Sequence, residues 1–152
     1  VKFPAICALI THPTKGKILF DTGYSEHFFH ATQNFPYSIY AKVTPVMVEE
    51  ADKVSQKLKA QGISSSEVEY VVLSHFHADH IGGLKEFTDS KYIFTQSSYD
   101  ILKNKTGLKA LLKGFLPGLI PDNFEENSIP LMSSNTEKGC FSLLLKNKFF
   151  LN

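Results

Sequence analysis

The chain has no tryptophan, and only two cysteines and two methionines, in 152 residues; its 16 basic and 15 acidic side chains nearly cancel to a formal charge of +1. Each shortage excludes something. Cys7 and Cys140 are too few for a disulfide scaffold and fit either a reduced compartment or an incidental pair. A charge near zero supplies no field for nucleic acid or an acidic surface, so no nucleic-acid partner is expected. The densest basic run, Lys103 to Lys113, alternates with leucine and reads as a solvated helix face. No window is apolar over the length of a membrane span, so no membrane partner is expected. No Gly-x-Ser-x-Gly elbow is present, which leaves serine-nucleophile hydrolysis of that kind without support. Repeats and low-complexity stretches are absent as well. No leader segment is recognisable and a cytoplasmic location is favoured, although Val1 in place of Met leaves room for a removed leader.

What is present is enough apolar residue, 43%, to fill the core of one domain, with 13 phenylalanines to pack it. The densest chemistry lies in His75-Phe-His77-Ala-Asp79-His80, directly after the apolar run Tyr70-Val71-Val72-Leu73, which reads as a short buried strand. Imidazole and carboxylate at the end of a strand suit zinc, and also iron or manganese. His75 and His77 are two residues apart, so in extended backbone both rings leave on the same side. Asp79 and His80 fall where the chain must turn before Gly82-Gly83, free to point toward a second metal beside the first. A two-metal site clamps a substrate oxygen and generates hydroxide near neutral pH. The plain alternative is a set of surface histidines in a polar loop.

The rest of the chain alternates strands and helices, an α/β pattern. Phe3 to Ile10 and Lys17 to Asp21 read as strands around a His12–Gly16 turn, with His12 exposed. Thr22 to Val43 is aromatic but aperiodic and reads as a loop; His27 and His30 within it suit packing or a substrate pocket better than ligation. Thr44-Pro45 looks like a helix start, with Met47, Ala51, Val54 and Leu58 as one apolar stripe and Gly62 as its stop. Ser64 to Glu69 reads as a capped turn. A short helix after Gly83, a strand at Tyr92–Thr95 and a helix from Ser97 to about Lys103 follow. Gly107 to Asn127 reads as irregular, and Phe141–Leu145 with Lys148–Leu151 as a hairpin.

His-x-His-x-Asp-His after an apolar strand resembles the signature of the metallo-β-lactamase-fold hydrolases. Ile18-Leu19-Phe20-Asp21-Thr22-Gly23 is similar to the strand and Asp-Thr-Gly segment of that superfamily. Val71-Val72-Leu73-Ser74, Gly82-Gly83-Leu84 and the Pro117 to Glu126 loop resemble its lactonase-like and related branches. The resemblance implies an αββα sandwich of two similar halves. It implies that His75 and His77 hold a first metal, and Asp79 and His80 a second. Asp79 would also orient the nucleophilic water or carry its proton. Asp21 would sit beneath the site as the partner of a ligating histidine, and Asp-Thr-Gly also favours a turn.

The same resemblance implies three later ligands, a histidine after a Gly-His strand, a bridging aspartate and a final histidine. After His80 this sequence has no histidine. The expectation is therefore one domain over residues 1–152, a first half truncated before the second. The leading function is a metal-dependent hydrolase, with one or two zinc ions and metal-bound hydroxide acting on a small-molecule ester or lactone. The alternative is a non-catalytic fragment or half-domain that needs a partner segment or self-association. Without the second half, apolar surface of the first is expected to lie uncovered.

Overall fold

A computed structural model of the protein describes residues 4–132. Cys140 and the hairpin expected at 141–151 lie outside the described residues. Five strands form one sheet in the order β1 (Ala8–His12), β2 (Gly16–Phe20), β3 (Val68–Val72), β4 (Lys91–Thr95) and β5 (Ser128–Leu131). The first pair is an antiparallel hairpin, with Ala8 opposite Phe20 and His12 opposite Gly16. Its turn is closed by His12, whose Nδ1 accepts from the backbone N–H of Thr14 at 3.2 Å and Lys15 at 3.1 Å. From β2 onward every neighbour is parallel.

Parallel strands need crossovers, and helices supply them. Between β2 and β3 lie α1 (His27–Ala31), α2 (Ser38–Val43) and α3 (Val54–Ala60). A single helical turn, α4 (Ala78–Ile81), follows β3. α5 (Gln96–Asp100) and α6 (Gly107–Leu111) stand between β4 and β5. The α/β reading, the turn capped by Ser64, and the strands before and after the histidine motif all agree with the sequence pattern.

Three readings need correction. The aromatic segment after Asp21 is not a loop, because Phe28 is buried and its ring meets Tyr24 at 5.2 Å and Tyr40 at 5.9 Å, which packs α1 and α2 onto the sheet despite their weak periodicity. No helix starts at Thr44-Pro45; Glu49 and Asp52 cap a short 3₁₀ turn, Lys53 is extended, and α3 begins only at Val54. Met47 and Ala51 are accordingly exposed, whereas Leu58 keeps its place in the core and Gly62 its place after the helix. The segment after Gly107 is less irregular than expected, since it holds α6 and a 3₁₀ turn at Pro117–Leu119.

Both faces of the sheet are apolar, as strands buried on two sides require. Leu19, Val71, Leu73, Tyr92 and Phe94 join the helix-side core with Phe28, Leu58, Ala110 and Phe124. Phe124 stacks on Tyr92 at 5.0 Å and on Phe94 at 5.2 Å. On the opposite face Ile18, Val72, Ile93 and Leu131 form a second cluster, with Phe20, Tyr70 and Ile129 partly buried beside it. These four central residues are buried, while Ile10 beside Ile18 on the same face, and Phe35, Val43, Met47 and Leu112 elsewhere, are exposed.

Lys53 pins the crossover. Its side chain is 8% exposed, and its ammonium lies 2.9 Å from Glu26, 2.8 Å from Glu50 and 3.9 Å from Glu86. The side chains of Glu26 and Glu50 reach solvent, but that of Glu86 is 11% exposed and one of its oxygens, Oε2, has no hydrogen-bond partner. Burial raises the Glu86 pKa, opposed by a hydrogen bond with the Ser55 side chain and then by Lys53.

Replacing the cation should leave the buried Glu86 without its counter-charge. Lys53→Met is expected to lower unfolding free energy by about 2 kcal/mol in urea titrations, a value reduced from that of a fully buried pair by the exposure of Glu26 and Glu50. A change below about 0.5 kcal/mol would show that the cluster is only a surface pair.

Cys7 offers a second test, because burial and the nearby charge of Asp21 push its thiol up to about 11. The thiolate is the reactive form, so in a Cys140→Ser background alkylation at pH 8 should be roughly a hundredfold slower in the folded protein than in urea. Equal rates would mean that the segment before β1 does not pack as described.

Candidate metal centre

The site forms where β2 and β3 end side by side. Phe20 is opposite Val72 in the parallel register, and the Asp21 N–H donates to the Val72 carbonyl at 2.9 Å. Ligands in open parallel sheets gather at the carboxyl ends of strands, and the residues that leave these two ends are Asp21 and the segment from Ser74 to His80. Asp21 has φ of 57°, a left-handed conformation that aspartate tolerates better than most residues. That conformation turns the chain so that the carboxylate, 2% exposed, faces β3.

Alternation then sorts the motif. Phe76 is buried, with its ring 5.4 Å from Phe94, 5.4 Å from Tyr99 and 6.0 Å from Phe124. His75 and His77 flank it and leave on the other side, with ring centroids 4.6 Å apart. His77 then precedes the helical turn α4, which folds Asp79 and His80 back over His75. The His75 and His80 rings lie 3.9 Å apart, and His80 Nε2 is 3.2 Å from Asp79 Oδ2.

His75, Asp79 and His80 each place one ligand atom within 4.8 Å of the others, and the His77 ring lies beside that of His75.

Asp21 lies directly beneath. Its Oδ2 is 2.7 Å from His80 Nδ1 and accepts from the Ser74 hydroxyl at 2.7 Å, while Oδ1 accepts from the Ser74 N–H at 2.9 Å. A carboxylate on Nδ1 fixes the tautomer of His80 and leaves Nε2 as the open donor atom. Burial, then the neighbouring His80 and His77, lowers the His75 pKa and favours its neutral form. Neutral imidazole is the form that binds metal. The set of imidazole nitrogens and one carboxylate therefore suits a divalent ion.

The two segments are laced together. The Thr22 N–H and hydroxyl both donate to the His80 carbonyl, at 2.8 and 2.9 Å. Gly83 N–H donates to Gly23 O at 2.9 Å, and the Ser25 hydroxyl to Gly82 O at 2.7 Å. Gly82 and Gly83 permit this approach: a Cβ on Gly82 would fall 2.6 Å from Gly23 O, and one on Gly83 2.8 Å from Thr22 O. Gly114, at the end of the α6 segment, is similarly confined, since a Cβ there would lie 3.1 Å from His77 Nε2.

The other histidines are placed elsewhere. His30 is exposed on α1. His27 belongs with Glu26 and Glu86 to the other ligand-type group among the described residues, but the Lys53 ammonium already occupies that cluster as its cation. Sequence reading missed Ser74, Gly82, Gly83 and Gly114 as parts of the site. The adjacent Gly-Gly was the available signal for a close backbone contact; nothing local marked Ser74 or Gly114.

The sequence model of the metallo-beta-lactamase superfamily matches residues 3–93. An N-acyl homoserine lactonase, AttM, of Azorhizobium caulinodans is 33% identical over 99 residues, which cover 65% of this chain and 37% of that protein. An N-acyl homoserine lactonase of Bacillus cereus is 31% identical over 102 residues, 66% of this chain and 40% of that protein. The chain thus spans less than half the length of these relatives. The crystal structure of a quorum-quenching N-acyl homoserine lactone lactonase superposes with a TM-score of 0.53 at 24% identity, covering 88% of this chain and 46% of the other. The Bacillus thuringiensis AiiA structure with N-decanoyl-L-homoserine bound superposes at 0.51 with 22% identity, covering 87% of this chain and 49% of the other. Both share the fold.

Two glycine substitutions separate the parts of the site. Gly83→Ala should force Thr22 away, lower stability by about 2 kcal/mol in urea unfolding, and shift the His80 ring resonances as Asp21 moves. Gly114→Ala should instead shift the His77 resonances and leave those of His80 in place. The same shifts from both variants would deny that the two contacts are independent.

Proposed function

The chain belongs to the metallo-beta-lactamase superfamily, and from that premise we propose that it carries the metal-holding half of a hydrolase that opens a lactone or a related ester. The observation that carries this reading is the meeting of His75, Asp79 and His80, with ligand atoms within 4.8 Å, above the buried carboxylate of Asp21. His75 and His80 would hold the ion through ring nitrogens, Asp79 through an oxygen, and His77 would join from beside His75. Zinc suits this donor set, as do iron and manganese. Such an ion would supply a more acidic water as nucleophile and would polarise the substrate carbonyl.

The chain's own residues do the remaining tasks. Asp21 orients His80 from below and is too buried to exchange with solvent. The Asp79 side chain is 42% exposed, so one carboxylate faces the open side of the cluster, where it orients a water and accepts its proton. Phe76 holds the segment between His75 and His77 to the aromatic core, which limits how far either ring can move. Lactones are favoured by the names of the relatives, N-acyl homoserine lactonases. Exposed Leu108 and Leu112 lie on the segment whose Gly114 touches His77, and they offer apolar surface to the rest of a lipophilic substrate.

A second reading is favoured by the ligand count. Catalytic zinc commonly has three protein ligands and a water, and two ions need more donors than the four of this motif. In this reading the chain is a half-domain whose centre is completed by another segment or partner. Both readings predict zinc bound at less than two equivalents per chain and lost on dialysis against a chelator; the first predicts slow hydrolysis of an N-acyl homoserine lactone, and the second, a non-catalytic half-domain, predicts none until a partner segment is supplied. His75→Ala and His80→Ala should each weaken zinc binding by roughly a hundredfold or more, measured by competition with a chromophoric chelator. Unchanged binding in both variants would remove the site. Two tightly held ions and brisk lactone opening by a 152-residue monomer would overturn the half-site reading in favour of a complete enzyme.

A further inference from the structure

Ser74 is not a ligand-type residue, yet it lies among the groups that define the centre. Its hydroxyl donates to Asp21 Oδ2 at 2.7 Å, and its N–H donates to Asp21 Oδ1 at 2.9 Å. The same Oγ lies 3.1 Å from His75 Nδ1 and 3.1 Å from His80 Nδ1. A hydroxyl has one proton and two lone pairs, and an ionised carboxylate only accepts. The Ser74 proton is therefore committed to Asp21, and Oγ has only acceptor capacity left for the rings. An imidazole nitrogen facing an acceptor must itself carry the proton.

His80 does not need Ser74 for this, because its Nδ1 meets Asp21 directly at 2.7 Å. His75 has no such contact, and its Nδ1 faces the Ser74 hydroxyl. We infer that Ser74 is a positioning residue that relays the charge of Asp21 to His75, holding His75 as the Nδ1–H tautomer with the Nε2 lone pair left for a metal. One buried carboxylate thus sets two histidines, His80 by direct contact and His75 through a serine. The opposite arrangement, in which Ser74 donates to His75, removes a donor from a carboxylate that is 2% exposed and puts a proton on the His75 nitrogen that should bind.

The purpose of this device rests on the metal-centre reading above, but the tautomer can be read without metal. In ¹⁵N-labelled, metal-free protein, at a pH where the rings are neutral, long-range ¹H–¹⁵N spectra distinguish the two forms, and loss of one pattern in His75→Gln assigns it. His75 is expected as Nδ1–H in the unaltered chain. In Ser74→Ala, His75 should move toward the Nε2–H form while His80 stays Nδ1–H, and zinc affinity should fall roughly 10- to 100-fold. Ser74→Thr, which keeps the hydroxyl, should restore both. An unaltered chain with His75 as Nε2–H, or a Ser74→Ala protein with His75 unchanged, would overturn the assignment. If the unaltered chain shows Nδ1–H at His75, loses it in Ser74→Ala, and binds no zinc, Ser74 keeps its role and the proposed metal centre fails.

Discussion

A carboxylate buried to 2% exposure must be satisfied by donors, and the site of this protein is organised around that requirement at Asp21. Its partners are the backbone and hydroxyl of Ser74 and the ring of His80. All of them come from the segment after β3, while Asp21 itself leaves the end of β2. The carboxylate therefore joins two strand ends that only the parallel register makes neighbours. The surrounding bonds, from Thr22 to the His80 carbonyl and from Gly83 to the Gly23 carbonyl, shield the same junction from water. Removing the negative charge would not only release one ring; it would leave inward-facing donors without an acceptor.

Much of this was legible in the amino-acid order because it depends on short-range pattern. Val71 and Val72 report a buried strand by side-chain type alone, and the ligand-type residues that follow are too dense to be incidental. The strand before Asp21 and the Ser64 cap are equally local signals. What was not legible depends on contacts distant in sequence. α1 and α2 form because Phe28 finds Tyr24 and Tyr40, and no helical stripe announces them. The Thr44-Pro45 start signal was sound chemistry in the wrong place; the Glu49–Asp52 cap and the Lys53 cluster delay the helix by nine residues. The role of Ser74 depends on Asp21, 53 positions away, and could not be read from Ser74 itself. Gly114 comes close to His77 from a distant part of the sequence.

The two faces of the sheet carry different apolar side chains. Its helix side holds the aromatic core of Tyr92, Phe94 and Phe124, which also anchors Phe76. The other side is aliphatic at its centre, with Ile18, Val72, Ile93 and Leu131. Metallo-beta-lactamase-fold structures superpose on 87–88% of the chain yet extend to about twice its length. The described residues contain one sheet and its helices, and the partners of the His80 ring, Asp21 and Ser74, lie at the ends of two of its strands.

Phe76 lies between two histidines, and each of the three points where backbone alternation directs it. One peptide thus serves the aromatic interior on one side and the donor atoms on the other. Loosening of the interior would therefore reach the rings directly, and an ion held by them as proposed would couple its release to loosening of the aromatic core.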